Sequence, residues 1–281
     1  MLRALLDRGE ILPREERLVS IAGNGDTYTL AVVPPSSVDG LREAGSTTFV
    51  TLDRVTSVIG KTLGKDGALM GWAYGLGLDA GIDAAKAGLD LAGWDRDQLK
   101  AYAKDRGITP WRKRDAAASR GTAAHYVAEL YASGDEAGAR KVLETLDESV
   151  RGYAEAALAY LEANRRPIIG VERQLFSLAH RFAGTIDLLL KEHVDRGDGI
   201  VVADFKTSRA VYESHAIQLG AYAIAVEELG WGPVVGGVVI LLREDGRFEE
   251  VAVEPLPQAF LGLLSVYRSL REYRGQKGEQ E

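Results

Sequence analysis

A chain of 281 residues, 46% of them hydrophobic, can bury a large core as one domain or as one domain with a small appendage. It has no cysteine, which excludes disulfides, and no apolar run approaching the roughly 18 residues of a membrane span. The formal net charge of -7 excludes a uniformly basic surface, though not local phosphate contacts, which depend on local charge.

Met1 to Arg17 reads as a short helix and a charged connector. Its acids come too early and its apolar run is too short for a signal peptide, so a cytoplasmic location is expected. Leu18 to Val33 alternates around Gly23-Asn24-Gly25-Asp26, a hairpin signal, and stops at Pro34-Pro35. It reads as a β-appendage or an edge of the main sheet, with no chemistry of its own. Thr51 to Val58 leads into an alanine-rich region, with Asp53 or Thr56 placed to cap a helix starting near Val58. The most basic stretch, Asp95 to Arg120, carries Arg112, Arg114 and Arg120 around Trp111 and can follow a nucleic-acid backbone while stacking a base. Gly121 to Tyr131 predicts a helix with Thr122, His125 and Glu129 on one face and Tyr126 and Leu130 on another. Two packing helices follow between Glu136 and Asn164, closed by Arg165-Arg166-Pro167, where a phosphate contact is expected.

Ile168 to Leu178 predicts a strand, with Glu172 facing opposite to Val171. The apolar runs Leu188-Leu189-Leu190 and Ile200-Val201-Val202-Ala203 flank a turn rich in Asp and Gly and predict a hairpin. Asp187 sits on one arm; Asp204 and Lys206 end the other, sharing one face while Phe205 takes the opposite one. Two carboxylates held together need a cation. A hard divalent ion such as Mg²⁺ or Mn²⁺ takes oxygen ligands, activates water and stabilises charge on a phosphoryl oxygen. Asp187, Asp204 and Lys206 thus suit metal-assisted hydrolysis of a phosphodiester. A helix over Glu213 to Leu229, strands over Val234 to Leu242 and Phe248 to Val253, and a closing helix over Pro257 to Tyr273 complete the chain before a polar tail expected to be disordered.

Gly184-Thr185-Ile186-Asp187, Asp204-Phe205-Lys206-Thr207 and Gln218-Leu219-Gly220-Ala221-Tyr222, with Gly121-Thr122-Ala123-Ala124-His125 upstream, resemble the PD-(D/E)XK nuclease superfamily. The closest likeness is to its RecB-like exonuclease branch, over roughly Gly121 to Glu254. The resemblance implies an α/β fold: a restriction-endonuclease-like core with a central mixed β-sheet flanked by helices, preceded by the N-terminal β-hairpin and helical region. It divides the chain into 1–45, a helical region walling the site at 46–120, the nuclease core at 121–273 and the tail at 274–281. It makes His125, Asp187, Asp204 and the Phe205 carbonyl metal ligands and Lys206 the catalytic lysine. Glu172 becomes a further acid for metal or water. Gln218, Tyr222, Arg209, Arg120, Arg114, Arg112 and Trp111 become DNA contacts. Mg²⁺ or Mn²⁺ is the implied cofactor. Without cysteine no thiolate-held iron–sulfur cluster can form, which points to the cysteine-free, phage-type members. The implied activity is a DNA exonuclease acting on linear, end-accessible DNA in recombination, repair or phage DNA processing, in a bacterial or phage-infected cell. An endonuclease using the same site and a non-catalytic DNA- or partner-binding module are the alternatives. A homo-oligomer and a recombinase or single-strand-annealing partner are compatible with it.

Overall fold

The two apolar runs flanking the Asp/Gly turn pair at the centre of the sheet. The computed structural model describes residues 17–33, 48–63, 66–194 and 197–278. Strands β5 (Phe182–Val194) and β6 (Gly197–Lys206) are antiparallel, paired from Leu188 with Ala203 outward to Val194 with Gly197. Strand β7 (Val234–Leu242) joins β6 in parallel and β8 (Phe248–Val253) closes that side antiparallel. β4 (Ile168–Ser177) runs antiparallel along β5. β1 (Arg17–Asn24), β2 (Thr27–Val33) and β3 (Thr48–Arg54) form an antiparallel meander whose last strand meets β5 in parallel at Phe182 and Ala183. The sheet has eight strands and is mixed, and the N-terminal hairpin belongs to it through β3.

Among the described residues eight helices flank this sheet. On one face, α1 (Val55–Thr62), α7 (Glu213–Glu228) and α8 (Pro257–Gly278) bury Val55, Val58, Ile217, Tyr222, Phe260 and Leu264 against Ile186, Val202 and Val239. On the other, α4 (Pro110–Ala132) and α6 (Glu148–Ala163) bury Ala124, Ala128, Ala157 and Tyr160 against Leu188, Ala203 and Phe205. α5 (Glu136–Thr145) packs on α4 and α6. α2 (Asp66–Lys86) is tied to α3 (Arg96–Asp105) by Tyr102 and Arg106, which both donate to Asp83. Alternation along β6 is what divides the two cores: Val202 and Asp204 face α7, while Ala203 and Phe205 face α6.

Three expectations need correction. Residues 48–54 are a strand, rich in β-branched side chains, and Asp53 caps nothing. It is buried and accepts from Arg268 Nε at 2.7 Å and Arg271 Nη1 at 2.5 Å, pinning α8 to β3. The histidine helix starts at Pro110 after Thr109, eleven residues ahead of Gly121, because proline is preorganised for the first helical position. The closing helix continues past Tyr273 to Gly278, into the tail expected to be disordered: Arg274, Gln276 and Lys277 favour helix, and the polarity that marks the tail does not disfavour it, while Gly275 and Gly278 do.

Gly152 lets α6 pass close to the turn between β7 and β8. A Cβ there would lie 1.6 Å from the carbonyl oxygen of Glu244, in the β7–β8 turn. Gly152→Ala is expected to destabilise the fold by about 1–3 kcal/mol, the usual cost of overpacking. Gly81→Ala, where a Cβ meets nothing within 4 Å in the middle of α2, is expected to stabilise it by about 0.5–1 kcal/mol. Denaturant midpoints of the two variants check the contrast.

Candidate active site

β4 follows one edge of β5 from Phe182 to Leu190. β3 and β6 therefore share the other edge, β3 at Phe182–Ala183 and β6 from Leu188 onward. Between them β5 has no strand partner on that side, and Gly184 to Asp187 lies in this gap. Asp187 fills the end of it: its Oδ2 accepts the backbone N–H of Phe205 at 2.7 Å, so a carboxylate replaces the missing ladder carbonyl. Gly184 leaves room for the helix above. A Cβ there would lie 2.8 Å from Tyr222 Cε1 and 3.2 Å from Val55 Cγ2.

Asp204 sits beside this gap, 1% exposed. Its Oδ1 accepts from Gln218 Nε2 at 3.0 Å, and the same amide donates to the Tyr222 hydroxyl at 3.0 Å. Gln218 and Tyr222 are one turn apart on α7, so they form one ladder onto the carboxylate. Oδ2 pairs with Lys206 Nζ and accepts no further hydrogen bond.

From the other face α4 delivers His125, whose Nδ1 donates to Glu172 Oε1 at 2.7 Å and lies 3.4 Å from Asp187 Oδ1. Glu172 lies between the paired residues Val171 and Arg173 with φ of 46°. A non-glycine residue enters that left-handed region at a cost of about 1–3 kcal/mol, and such strain collects at functional sites. The expected simple alternation with Val171 is thus interrupted. Donor atoms of His125, Glu172 and Asp187 all lie within 4.8 Å of one another.

The electrostatics follow from burial. Desolvation, then the neighbouring Asp204, pushes the Asp187 carboxyl well above the ordinary range, against the pull of His125 and Lys206. Burial opposes the charge on His125, but Asp187 and Glu172 outweigh it and hold the imidazole at about 9. Lys206 is likewise desolvated, and Asp204 and Asp187 outweigh that and raise it. These acids, one kept from ionising freely and one with an oxygen open except toward an ammonium, fit a divalent cation. The carboxylate oxygens suit a hard ion such as Mg²⁺ or Mn²⁺, and the added positive charge removes the repulsion.

The tight side-chain cluster takes in the expected ligands His125 and Asp187 and the further acid Glu172. Asp204 adjoins it through its neighbour Phe205, whose N–H donates to Asp187. Gln218 and Tyr222 do not offer themselves as DNA contacts: Tyr222 is 2% exposed and the Gln218 amide is occupied by Asp204 and Tyr222. Arg120 turns toward α6, with its guanidinium carbon 5.1 Å from the Tyr153 ring centroid. Arg166 is likewise engaged, paired with Glu250 and Glu192. Arg209 is exposed in the turn after β6. Trp111, Arg112 and Arg114 lie in the first turns of α4, and their side chains fall outside the described residues. Sequence reading did not find the groove that opens beside the site, about 580 Å³ and lined by Gly121, Thr122, His125, Tyr126, Glu129 and Glu172. The shared helical face of Thr122, His125 and Glu129 was its one signal.

Fold and donor set define a restriction-endonuclease-like α/β domain with a candidate divalent-metal centre at the point where two strands part. A family model, that of the PD-(D/E)XK nuclease superfamily, matches residues 98–270, more than half of the chain, and the chain belongs to that superfamily. No curated protein matches it. A solved structure, "Crystal structure of SSO0001", aligns at 18% identity with a TM-score of 0.30, over 52% of this chain and 71% of that one. A likeness of that size carries no argument here. The superfamily implies a nuclease, with divalent metal and DNA as its substrate. Among the described residues no helix is long and apolar enough to cross a membrane.

Proposed function

We propose that this chain is an Mg²⁺- or Mn²⁺-dependent DNA exonuclease of the RecB-like, phage-type kind, serving recombination, repair or phage DNA processing. One observation carries the reading. His125, Glu172 and Asp187 converge at the strand gap, and the Asp204–Lys206 pair adjoins them through the Asp187 hydrogen bond to Phe205.

Asp187, Asp204, His125 and Glu172 would hold the ion, with the Phe205 carbonyl as the further donor the family resemblance suggests. When bound, it supplies a water acidic enough to act as nucleophile at neutral pH and offsets charge on a phosphoryl oxygen. The chain's own residues do the positioning. Gln218 fixes the rotamer of Asp204, and Tyr222 fixes Gln218. Glu172 holds the His125 ring by its Nδ1, the nitrogen that also lies 3.4 Å from Asp187, and so fixes the ring against the cluster. Lys206, held by Asp204, presents an ammonium that can orient water or meet the charge growing on the phosphate.

Support for end-directed cleavage comes from the motif set: the histidine helix, the Asp-Phe-Lys strand and the Gln218–Tyr222 pair in one constellation. Incubation with linear duplex, linear single strand and closed circular DNA in Mn²⁺ tests it. Loss of label from ends with circles left intact is expected, and EDTA should stop the reaction. Nicked or linearised circles would replace the exonuclease reading with the endonuclease one. No cleavage of any substrate would remove both.

A further inference from the structure

Tyr126 follows His125 on α4 and is left 50% exposed. Its ring lies where two grooves meet. One is the groove of about 580 Å³ that contains His125, Glu172 and Glu129. The other, about 550 Å³, is lined by Val142, Leu146 and Val150 from α5 and the start of α6, together with Ala123 and Asp147. One turn ahead of the ring the helix carries the small residues Gly121, Thr122 and Ala123, and Arg120 turns away onto the Tyr153 ring. A Cβ on Gly121 would meet nothing within 4 Å, and Thr122 donates its hydroxyl to the Ala118 carbonyl at 3.0 Å. The space before the ring is therefore open, and the Thr122 and Thr145 hydroxyls on its walls donate to backbone carbonyls.

Charge decides what this space accepts. Glu129 lines one groove and Asp147 the other, and no lysine or arginine among the described residues lines either. A phosphate is disfavoured there; a flat, uncharged ring is not. An aromatic face binds any base, because every base has a π-face, and each such stack contributes on the order of a tenfold change in affinity or more.

We propose that Tyr126 is a stacking platform for one unpaired nucleobase, held in the Val142–Leu146–Val150 groove while the phosphate of that strand lies at Asp187, Asp204 and Lys206. The proposal rests on the nuclease reading for the position of the phosphate. This groove meets the one holding His125 and Glu172 at Ala118, Thr122 and Tyr126, so a single strand can place its backbone at one and its base at the other. Stacking on an aromatic face requires a strand whose bases are free.

The test uses the full chain, as wild type, Tyr126→Phe and Tyr126→Ala, with single-stranded oligonucleotides carrying 2-aminopurine. In EDTA, where cleavage is off, wild type and Tyr126→Phe should quench the probe, and Tyr126→Ala should bind about tenfold more weakly with little quenching. In Mn²⁺, Tyr126→Ala should raise KM about tenfold with kcat within about threefold. An abasic nucleotide next to the cleaved bond should bring wild type to the level of Tyr126→Ala without lowering the variant further. Equal quenching by wild type and Tyr126→Ala, or an equal abasic penalty in both, would overturn the proposal. Quenching that depends on Tyr126 in a chain that cleaves nothing would sink the nuclease reading and keep the base site.

Discussion

Lys206→Met is expected to lower the rate of DNA cleavage by a factor of at least about 10²–10³, the range seen when one preorganised charge or donor is removed from a reacting oxygen. The lysine is held at the site: its ammonium pairs with the buried Asp204, which weakens the screening of its charge by water. Methionine keeps the length of the stem and removes the cation. Lys206→Arg is not expected to restore the rate, because a planar guanidinium cannot take the place of a compact ammonium in so close a pair. The same change should be felt in the fold. Without the ammonium, Asp204 faces Asp187 with one cation fewer, and the metal-free protein should lose about 1–3 kcal/mol, less than for a fully buried pair because Lys206 is 23% exposed. Saturating Mn²⁺ should return most of that stability without returning activity. Single-turnover rates and thermal melts with and without Mn²⁺ measure both. A Lys206→Met protein that melts normally and still cleaves within tenfold of wild type would remove the lysine from the chemistry.

Asp187→Asn should separate stability from function in the opposite direction. Asp187 is 5% exposed, and burial and Asp204 together press its carboxyl toward the neutral form. Asparagine has nearly the same shape, and its amide oxygen can still accept the Phe205 N–H that closes the strand gap. The metal-free variant is therefore expected to be more stable than wild type, by about 1–3 kcal/mol, or roughly 2–10 °C in a chain of this size. Wild type should gain about 2.7 kcal/mol from Mn²⁺ at a hundred times its Kd, and the variant should gain almost none. Cleavage should be abolished. Calorimetric melts across a Mn²⁺ series provide the measurement, and equal metal-induced stabilisation of the two proteins would show that Asp187 holds no ion.

Much of this site was legible because its signals are local. The hairpin of Leu188–Leu190 with Ile200–Ala203 follows from two short apolar runs, and period-two alternation put Asp204 and Lys206 together on one face. Helical spacing put Gln218 and Tyr222 together, and their bond is present, but it serves Asp204 rather than DNA, since spacing says nothing about which way a face turns. What escaped the sequence was non-local or without a residue-type marker. Asp53 looked like a helix cap; its actual partners, Arg268 and Arg271, lie more than two hundred residues on. The left-handed backbone at Glu172 has no glycine to announce it. The gap between β3 and β6 depends on β3 docking from outside the motif-bearing region, and the Tyr126 groove depends on three helices meeting.

The central claim is that one divalent cation sits among the side chains gathered at this gap. Crystals grown with Mn²⁺ and measured at the manganese absorption edge test it most directly, since anomalous scattering identifies the ion and its ligands together. A peak bound directly by Asp187 and Asp204, with His125 or Glu172 completing the protein ligands, is the expected result. Fully ordered side chains at these positions with no anomalous peak between them, in crystals holding saturating manganese, would contradict it.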